Sequence, residues 1–248
     1  MNRFYTELAR WWPLVSPVEQ YAGEAAEIER VLREAAPEGK TVLELGSGGG
    51  HNAFHLKRSF QLTLTDLSED MLEVSRALNP ECEHLCGDMR TLALGRTFDL
   101  VFVHDAVDYM TTETDLGAAM ATAYRHCQPG GAALFVPDHL EESFGPGTDW
   151  GGSDGARGEG IRFLEWSYDP DPTDTSVTTV YTFVTREADG RIGSFSEGHH
   201  FGLFSRAQWL RLLSQQGFFA EALIERTNED RLPRVMFLGR RPQAASST

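Results

Sequence analysis

The stretch VLELGSGGGHNA, Val42 to Ala53, joins four residues suited to a buried strand, one of them an acid, to five residues of which four are glycine. A glycine-rich turn at the carboxyl end of a strand lets the backbone approach a ligand closely. Two ligand classes are excluded at once. A dinucleotide fingerprint starting at Gly46 needs a glycine where His51 stands, and no Gly-Lys-Ser/Thr closes the turn as a phosphate-binding P-loop requires. The loop therefore suits a ligand without a pyrophosphate.

Around this loop the pattern is regular. Upstream, Ser16, Pro17 and Glu19 read as the N-cap, first position and capping box of an amphipathic helix that puts Tyr21, Ala25, Ile28, Leu32 and Ala35 on one face and stops at Pro37 and Gly39. Downstream, AFHLKRSF reads as a helix and QLTLTD as a second strand. LSEDMLEVSRAL is a helix capped by Ser68, with Leu67 and Leu72 as a hydrophobic staple. A short strand near Glu83 to Cys86, the strand FDLVFVHD, a helix with Leu116, Ala119, Met120, Ala123 and Cys127 on one face, and AALFVP follow. Strands alternating with helices predict a parallel, doubly wound α/β sheet of Rossmann-like form. After Asp138 three β-rich runs separated by DPDPT and ADG predict an antiparallel meander, and Ser205 with Gln208 caps the next helix before two last strands. The expectation is one domain: a helical cover over 1–38, a core over 39–137, an inserted β lid over 138–204, and a final helix with two strands over 205–241, giving seven strands in the main sheet.

The 248 residues carry a formal charge of -15, which opposes binding to nucleic acid. No apolar run approaches a membrane span, and the N-terminus lacks a signal-peptide core, so a cytoplasmic protein is expected. Cys82, Cys86 and Cys127 fit neither a disulfide framework nor paired zinc ligands. The tail PQAASST reads as disordered.

Four landmarks then occur in order: ELGSGGG (Glu44–Gly50), TLTDLSEDML with Asp66, CGDMR with Asp88, and FDLVFVHDAVDYM ending near His104, followed by the QPGG turn. In this the chain resembles the class I S-adenosylmethionine-dependent methyltransferases. The resemblance implies that Asp66 accepts from both ribose hydroxyls, as a carboxylate can from a vicinal diol, and that Asp88 lies near the adenine. It implies a cofactor site on Tyr5, Glu44, Gly46, Ser47, Gly48, Asp66, Leu67, Met71, Asp88, Met89 and His104. Asp66 has little need to cap the next helix, because Ser68 does so. Asp88 also reads as an ordinary loop acid, and Glu44 serves equally as a loop-bonding acid or as a contact to the methionine amino group.

Within this superfamily the stretches LSEDML, GDMR, TTETDLGAA and GHHFGLFSRAQWLRLLSQQGF resemble the N-methyltransferases that dimethylate amino sugars in antibiotic pathways, while VHDAVDYM is more acidic. The implied reaction is methyl transfer to a small molecule, foremost an amine nitrogen. The alternatives are O-methylation of a phenol or carboxylate and a non-catalytic cofactor-binding regulator. His104, Asp105 and Tyr109 are the catalytic candidates, His104 as base; Trp12, Asp108, His139 and His200 are the substrate-binding candidates. Tyr5, Trp11, Trp12 and Tyr21 resemble an aromatic cover, at least two of them packing on the sheet. No metal is expected: His51 and His55 have helical zinc spacing without a third ligand, and Asp105, Asp138 and His139 resemble a metal-dependent catechol methyltransferase set with histidine in place of an amide. Adjacent His199 and His200 point to opposite faces of a strand, so one of them reaches the site. The edge strands of the meander need a partner or cover, which suggests a homodimer.

Overall fold

The computed structural model describes residues 2–227 and 232–244. The last four residues of the tail read as disordered lie outside the described residues. The main sheet has seven strands in the order β10-β11-β5-β4-β1-β2-β3. Strands β1 (Thr41–Leu45), β2 (Gln61–Asp66), β3 (Glu83–Cys86), β4 (Phe98–Val103) and β5 (Cys127–Phe135) run parallel, while β11 (Val235–Arg240) and β10 (Phe219–Ile224) turn antiparallel at one edge. Strand order reverses between β1 and β4, and the crevice outside their carboxyl ends is where such sheets bind ligands.

Both faces of the sheet are covered, which is why its strands are continuously apolar. Leu43, Leu45, Val101 and Val103 face α5 (Glu113–His126) and α6 (Arg206–Gln215), where Trp209 stacks on Phe237 at 4.8 Å. Val42, Leu64, Leu100 and Phe102 face Ile28 and Leu32 of α2 (Ala22–Ala35) and Ala53 and Leu56 of α3 (His51–Leu56). Each large side chain so buried contributes about 1.5–3 kcal/mol. Strand alternation also places Glu44 and His104 on the α2 side, the one paired in register with Phe102 and the other two residues beyond it.

The segment between β5 and α6 forms a second sheet in the order β6-β7-β8-β9, with β6 at Gly147–Gly151, β7 at Gly160–Tyr168, β8 at Ser176–Arg186 and β9 at Ile192–Gly202. Strand β6 lies in the Gly- and Asp-rich region read as loop; its pairing with β7, not its own propensity, makes it a strand. At the N-terminus the expected cap is absent. Ser16 ends the short helix α1 (Trp12–Val15), its hydroxyl bonds Tyr21 at 2.9 Å, and α2 starts only at Ala22 after a 3₁₀ turn. The caps by Ser68 on α4 (Glu69–Leu78) and by Ser205 with Gln208 on α6 are present. Leu67 remains 51% exposed on a cavity wall rather than folded over Leu72 as a staple. Trp11 packs with Phe4 against Ile161 and Phe183 of the second sheet, not on the main sheet, and Phe4 stacks on Phe183 at 4.5 Å. No helix among the described residues is long and apolar enough to cross a membrane.

Candidate active site

A cavity of about 600 Å³ opens at the carboxyl ends of β1, β2 and β4, roofed by the N-terminal segment and the inner face of β7–β9. Its floor is the glycine loop. The N–H groups of Gly46 and Ser47 both donate to the Thr65 carbonyl at 2.8 Å, binding the loop to the end of β2. Gly46 has φ +75°, and a side chain there would collide with Ala106 and Met89, so the loop must stay bare to pass beneath the β4 end. Gly50, at φ +74°, is pressed against Ser75 and against Asn79, the residue that ends the helix carrying Ser75, and its carbonyl accepts from Asn79 Nδ2 at 2.9 Å.

Asp66 is held by both carboxylate oxygens: Oδ2 accepts from Gly48 N–H and Oδ1 from Ser68 N–H, each at 2.8 Å. Burial pushes its pKa up despite those bonds. Each oxygen keeps a lone pair, so the carboxylate is pre-aimed and still able to accept from a diol. Glu44 is buried, Oε2 has no hydrogen-bond partner, and burial pushes its pKa up to about 8. Ser47 Oγ is likewise unpartnered. Unpartnered polar atoms on residues that line a cavity are where a ligand can donate or accept. These groups fit the amino-acid and ribose portions of S-adenosylmethionine. Tyr5, Leu67, Met71 and Met89 also line the cavity, as does Asp88, which Arg90 holds at 2.6 Å and lowers in pKa.

At the β4 end lies a charge network that the sequence did not reveal. His104 is buried, with Nε2 3.1 Å from Glu24 Oε1 and Nδ1 3.3 Å from Asp105 Oδ1, and Arg234 reaches both Glu24 and His104. Two carboxylates against the ring hold its pKa well above the ordinary value despite burial. Glu24 and Asp105 are correspondingly lowered, with desolvation opposing and the imidazolium the leading favourable cause. Arg234 also pairs through Nε with Asp138 Oδ1 at 3.4 Å, so each buried charge of the cluster has an opposite neighbour, the condition for burying them. Both ring nitrogens of His104 are taken up by charged neighbours, Glu24 and Arg234 at Nε2 and Asp105 at Nδ1, a setting that favours positioning over the expected role as base. Glu24 looks like one more polar residue of α2, and Arg234 lies 130 residues from His104; no local spacing joins them.

The structure places two further candidates. Trp12 lines the cavity, lying against Gly49 and donating from Nε1 to His51 Nδ1 at 3.2 Å, which places it over the glycine loop. His200 is exposed and faces away with Thr178, whereas buried His199 lines the cavity. Phe195 and Phe201 share the phase of His199 along β9, a signal that could have decided between the two. Asp108, Tyr109 and His139 line the cavity. Glu165, Tyr181 and Phe183 of the second sheet also line it and carried no motif. His51 Nδ1 accepts from Trp12 while His55 bonds the Val18 carbonyl, so they do not converge. Among the described residues no group of three or more His, Cys, Asp or Glu side chains is placed to hold a metal.

With this geometry in hand, comparison with known proteins is direct. A family described as "Methyltransferase domain" matches residues 42–131. The dTDP-3-amino-3,4,6-trideoxy-alpha-D-glucopyranose N,N-dimethyltransferase of Streptomyces venezuelae is 31% identical over 83% of this chain and 86% of its own. The crystal structure of DesVI from Streptomyces venezuelae matches with a TM-score of 0.77 at 27% identity, over 91% of this chain and 92% of that one. The S-adenosylmethionine-bound structure of CalS10, an amino pentose methyltransferase from Micromonospora echinaspora, matches with 0.73 at 25% identity, over 89% and 91%. The fold agrees with these comparisons, and the chain belongs to the S-adenosylmethionine-dependent small-molecule N-methyltransferases, in the family that holds these sugar-modifying enzymes.

Proposed function

We propose that the acceptor is an amino sugar, or an amine of similar size, that enters the cavity as its ammonium form. The observation that carries this reading is the acidic acceptor end. Asp138 N–H donates to Asp108 Oδ2 at 2.8 Å, and burial next to Asp138 pushes the Asp108 carboxyl well above the usual range. Asp105 and Glu165 stand on the same cavity. A cation among these groups would relieve their mutual repulsion. Among the described residues Arg90 is the one arginine or lysine on the cavity wall, and Asp88 and Asp115 already engage it. A diphosphate finds no free guanidinium there, so the amino-bearing portion alone enters.

S-adenosylmethionine supplies an electrophilic methyl group when bound, with Asp66 and Glu44 assigned to the ribose and the amino group. The chain's own tasks are to align the nitrogen, exclude water and remove a proton. The lid closes the acceptor portion, its inner face supplying Tyr181, Phe183 and His199. Exposed Trp150 and Trp166, 78% and 52%, on the lid support a homodimer through that sheet, checked by light scattering. The free thiols support a cytoplasmic location. The test of the acceptor is S-adenosylhomocysteine release from two substrates sharing one amino sugar, the dTDP sugar and its methyl glycoside. Turnover of the glycoside within about tenfold of the nucleotide is expected; an inert glycoside beside an active nucleotide sugar would show that the cavity reads the diphosphate.

A further inference from the structure

We propose that Tyr109, His199 and Glu197 form a proton relay that takes the proton of the acceptor ammonium, with Tyr109 touching the acceptor and the other two acting through it. The inference rests on the reading above that the acceptor is a protonated amine. A carboxylate-lined site stabilises the ammonium, which strengthens binding and opposes loss of the proton, so a base is needed. Both ring nitrogens of His104 already face charged neighbours, so the base is sought elsewhere on the cavity wall.

The relay is continuous in geometry. Tyr109 hydroxyl lies 2.7 Å from His199 Nδ1, and His199 Nε2 lies 2.9 Å from Glu197 Oε1. The carboxylate places the imidazole proton on Nε2, which leaves Nδ1 as an acceptor for the Tyr109 hydroxyl. The Tyr109 hydroxyl also lies 2.9 Å from that of Tyr5, to which it donates at rest, and a turn of the O–H toward Nδ1 opens the relay. Burial lowers the pKa of His199, so the ring is neutral and free to accept. Glu197 is fixed in turn by the backbone N–H groups of Arg3 and Phe4 at 2.9 and 3.1 Å. The groups facing His199 are Tyr109 beyond β4, Tyr5 of the N-terminal segment, Tyr181 of β8, and Glu197 and His200 of its own strand.

In the step, the N–H bond of the ammonium breaks and its electron pair stays on nitrogen as the nucleophilic lone pair. The proton goes to the Tyr109 oxygen while the original Tyr109 proton passes to His199 Nδ1, and Glu197 balances the imidazolium. Glu197, with 11% of its side chain exposed, lies toward solvent. The relay joins a residue after β4, a lid strand and the N-terminal segment, so it exists only with the roof in place.

The test uses enzyme saturated with S-adenosylmethionine and two amine acceptors, a basic amino-sugar glycoside and a weakly basic hydroxylamine analogue that is unprotonated at pH 7.5. Tyr109→Phe and His199→Gln should each lower kcat on the basic amine by about 10²-fold with KM within about threefold, Glu197→Gln by about tenfold, and all three should change the weakly basic amine by less than about threefold. An equal loss on both amines, or a loss carried by KM, would show that these side chains only pack the roof. Unfolding midpoints and cofactor affinity by calorimetry accompany each variant, and if His199→Gln does not fold, Tyr109→Phe, which keeps the ring contacts, decides. Methylation of a phenol in place of both amines would instead remove the amine reading itself.

Discussion

The cavity has a floor and a roof made in different ways. On the floor, Glu44, Gly46, Ser47, Gly48 and Asp66 come from two adjacent parallel strands and the turns that follow them, and backbone N–H groups hold Asp66 in place. On the roof, Tyr5, Tyr109 and His199 come from three distant segments and meet only through side chains. A site built on backbone bonds inherits the rigidity of the sheet. A site built on side chains depends on burial supplied by everything around it.

The sharpest test of that difference lies beneath the roof, in the Glu24, His104 and Arg234 network. Glu24→Ala leaves buried cations with one carboxylate fewer, and we expect a loss of about 3–5 kcal/mol by urea unfolding. A loss under about 1 kcal/mol would show that the network is effectively solvated. The pH dependence follows from the shifts. His104 is raised in the fold, so its contribution is whole below about pH 6.5 and fades as pH rises through the folded value. Glu24 is lowered, so its contribution is whole above about pH 4.3 and is lost as pH falls through the folded value. Wild type should weaken on both sides of that window, and Glu24→Ala should lose most of the alkaline slope.

Next in size, Phe183→Ala removes the ring on which Phe4 stacks and should cost about 3–4 kcal/mol, seen as earlier protease cleavage of the lid and N-terminal segment together. Cleavage of the lid alone would separate two parts that share one apolar cluster.

On the floor, Asp66→Ala should weaken S-adenosylmethionine binding by about 1.5–3 kcal/mol, because a charged acceptor for two hydroxyls is lost while the loop stays in place. Unchanged affinity by calorimetry would remove Asp66 from the site. The smallest effect is expected at Glu44. Its folded pKa of about 8 exceeds the unfolded value, so stability falls as pH rises through that interval. Glu44→Gln should therefore raise the unliganded protein's stability by about 1–2 kcal/mol at pH 8 and leave it nearly unchanged at pH 4, while cofactor affinity falls. An equal shift at both pH values would trace the gain to packing instead.

The floor could be read from the chain because its chemistry is local. Four apolar-compatible residues, a bare turn and an acid ending the next strand are enough to imply the crevice, and Ser68 and Gln208 announce their helix caps within three residues. The roof was harder. His199 and His200 differ by one strand position, and choosing between them takes the phase of Phe195 and Phe201. In the β6 stretch GTDWG the two glycines and Asp149 mask the strand preference of Thr148 and Trp150, and the Ser16 capping pattern lost to a short helix that starts at Trp12.

What the sequence by itself determined is the alternation of strands and helices, the bare loop after β1 and the acid after β2, since strand period and glycine sterics act over a few residues. Only the tertiary structure decided that Glu24 and Arg234 flank His104, that Trp12 covers the loop, and that His199 rather than His200 faces Tyr109. Protonation state and hydrogen-bond partner depend on desolvation and on charges brought from far along the chain, and neither exists until the core has closed.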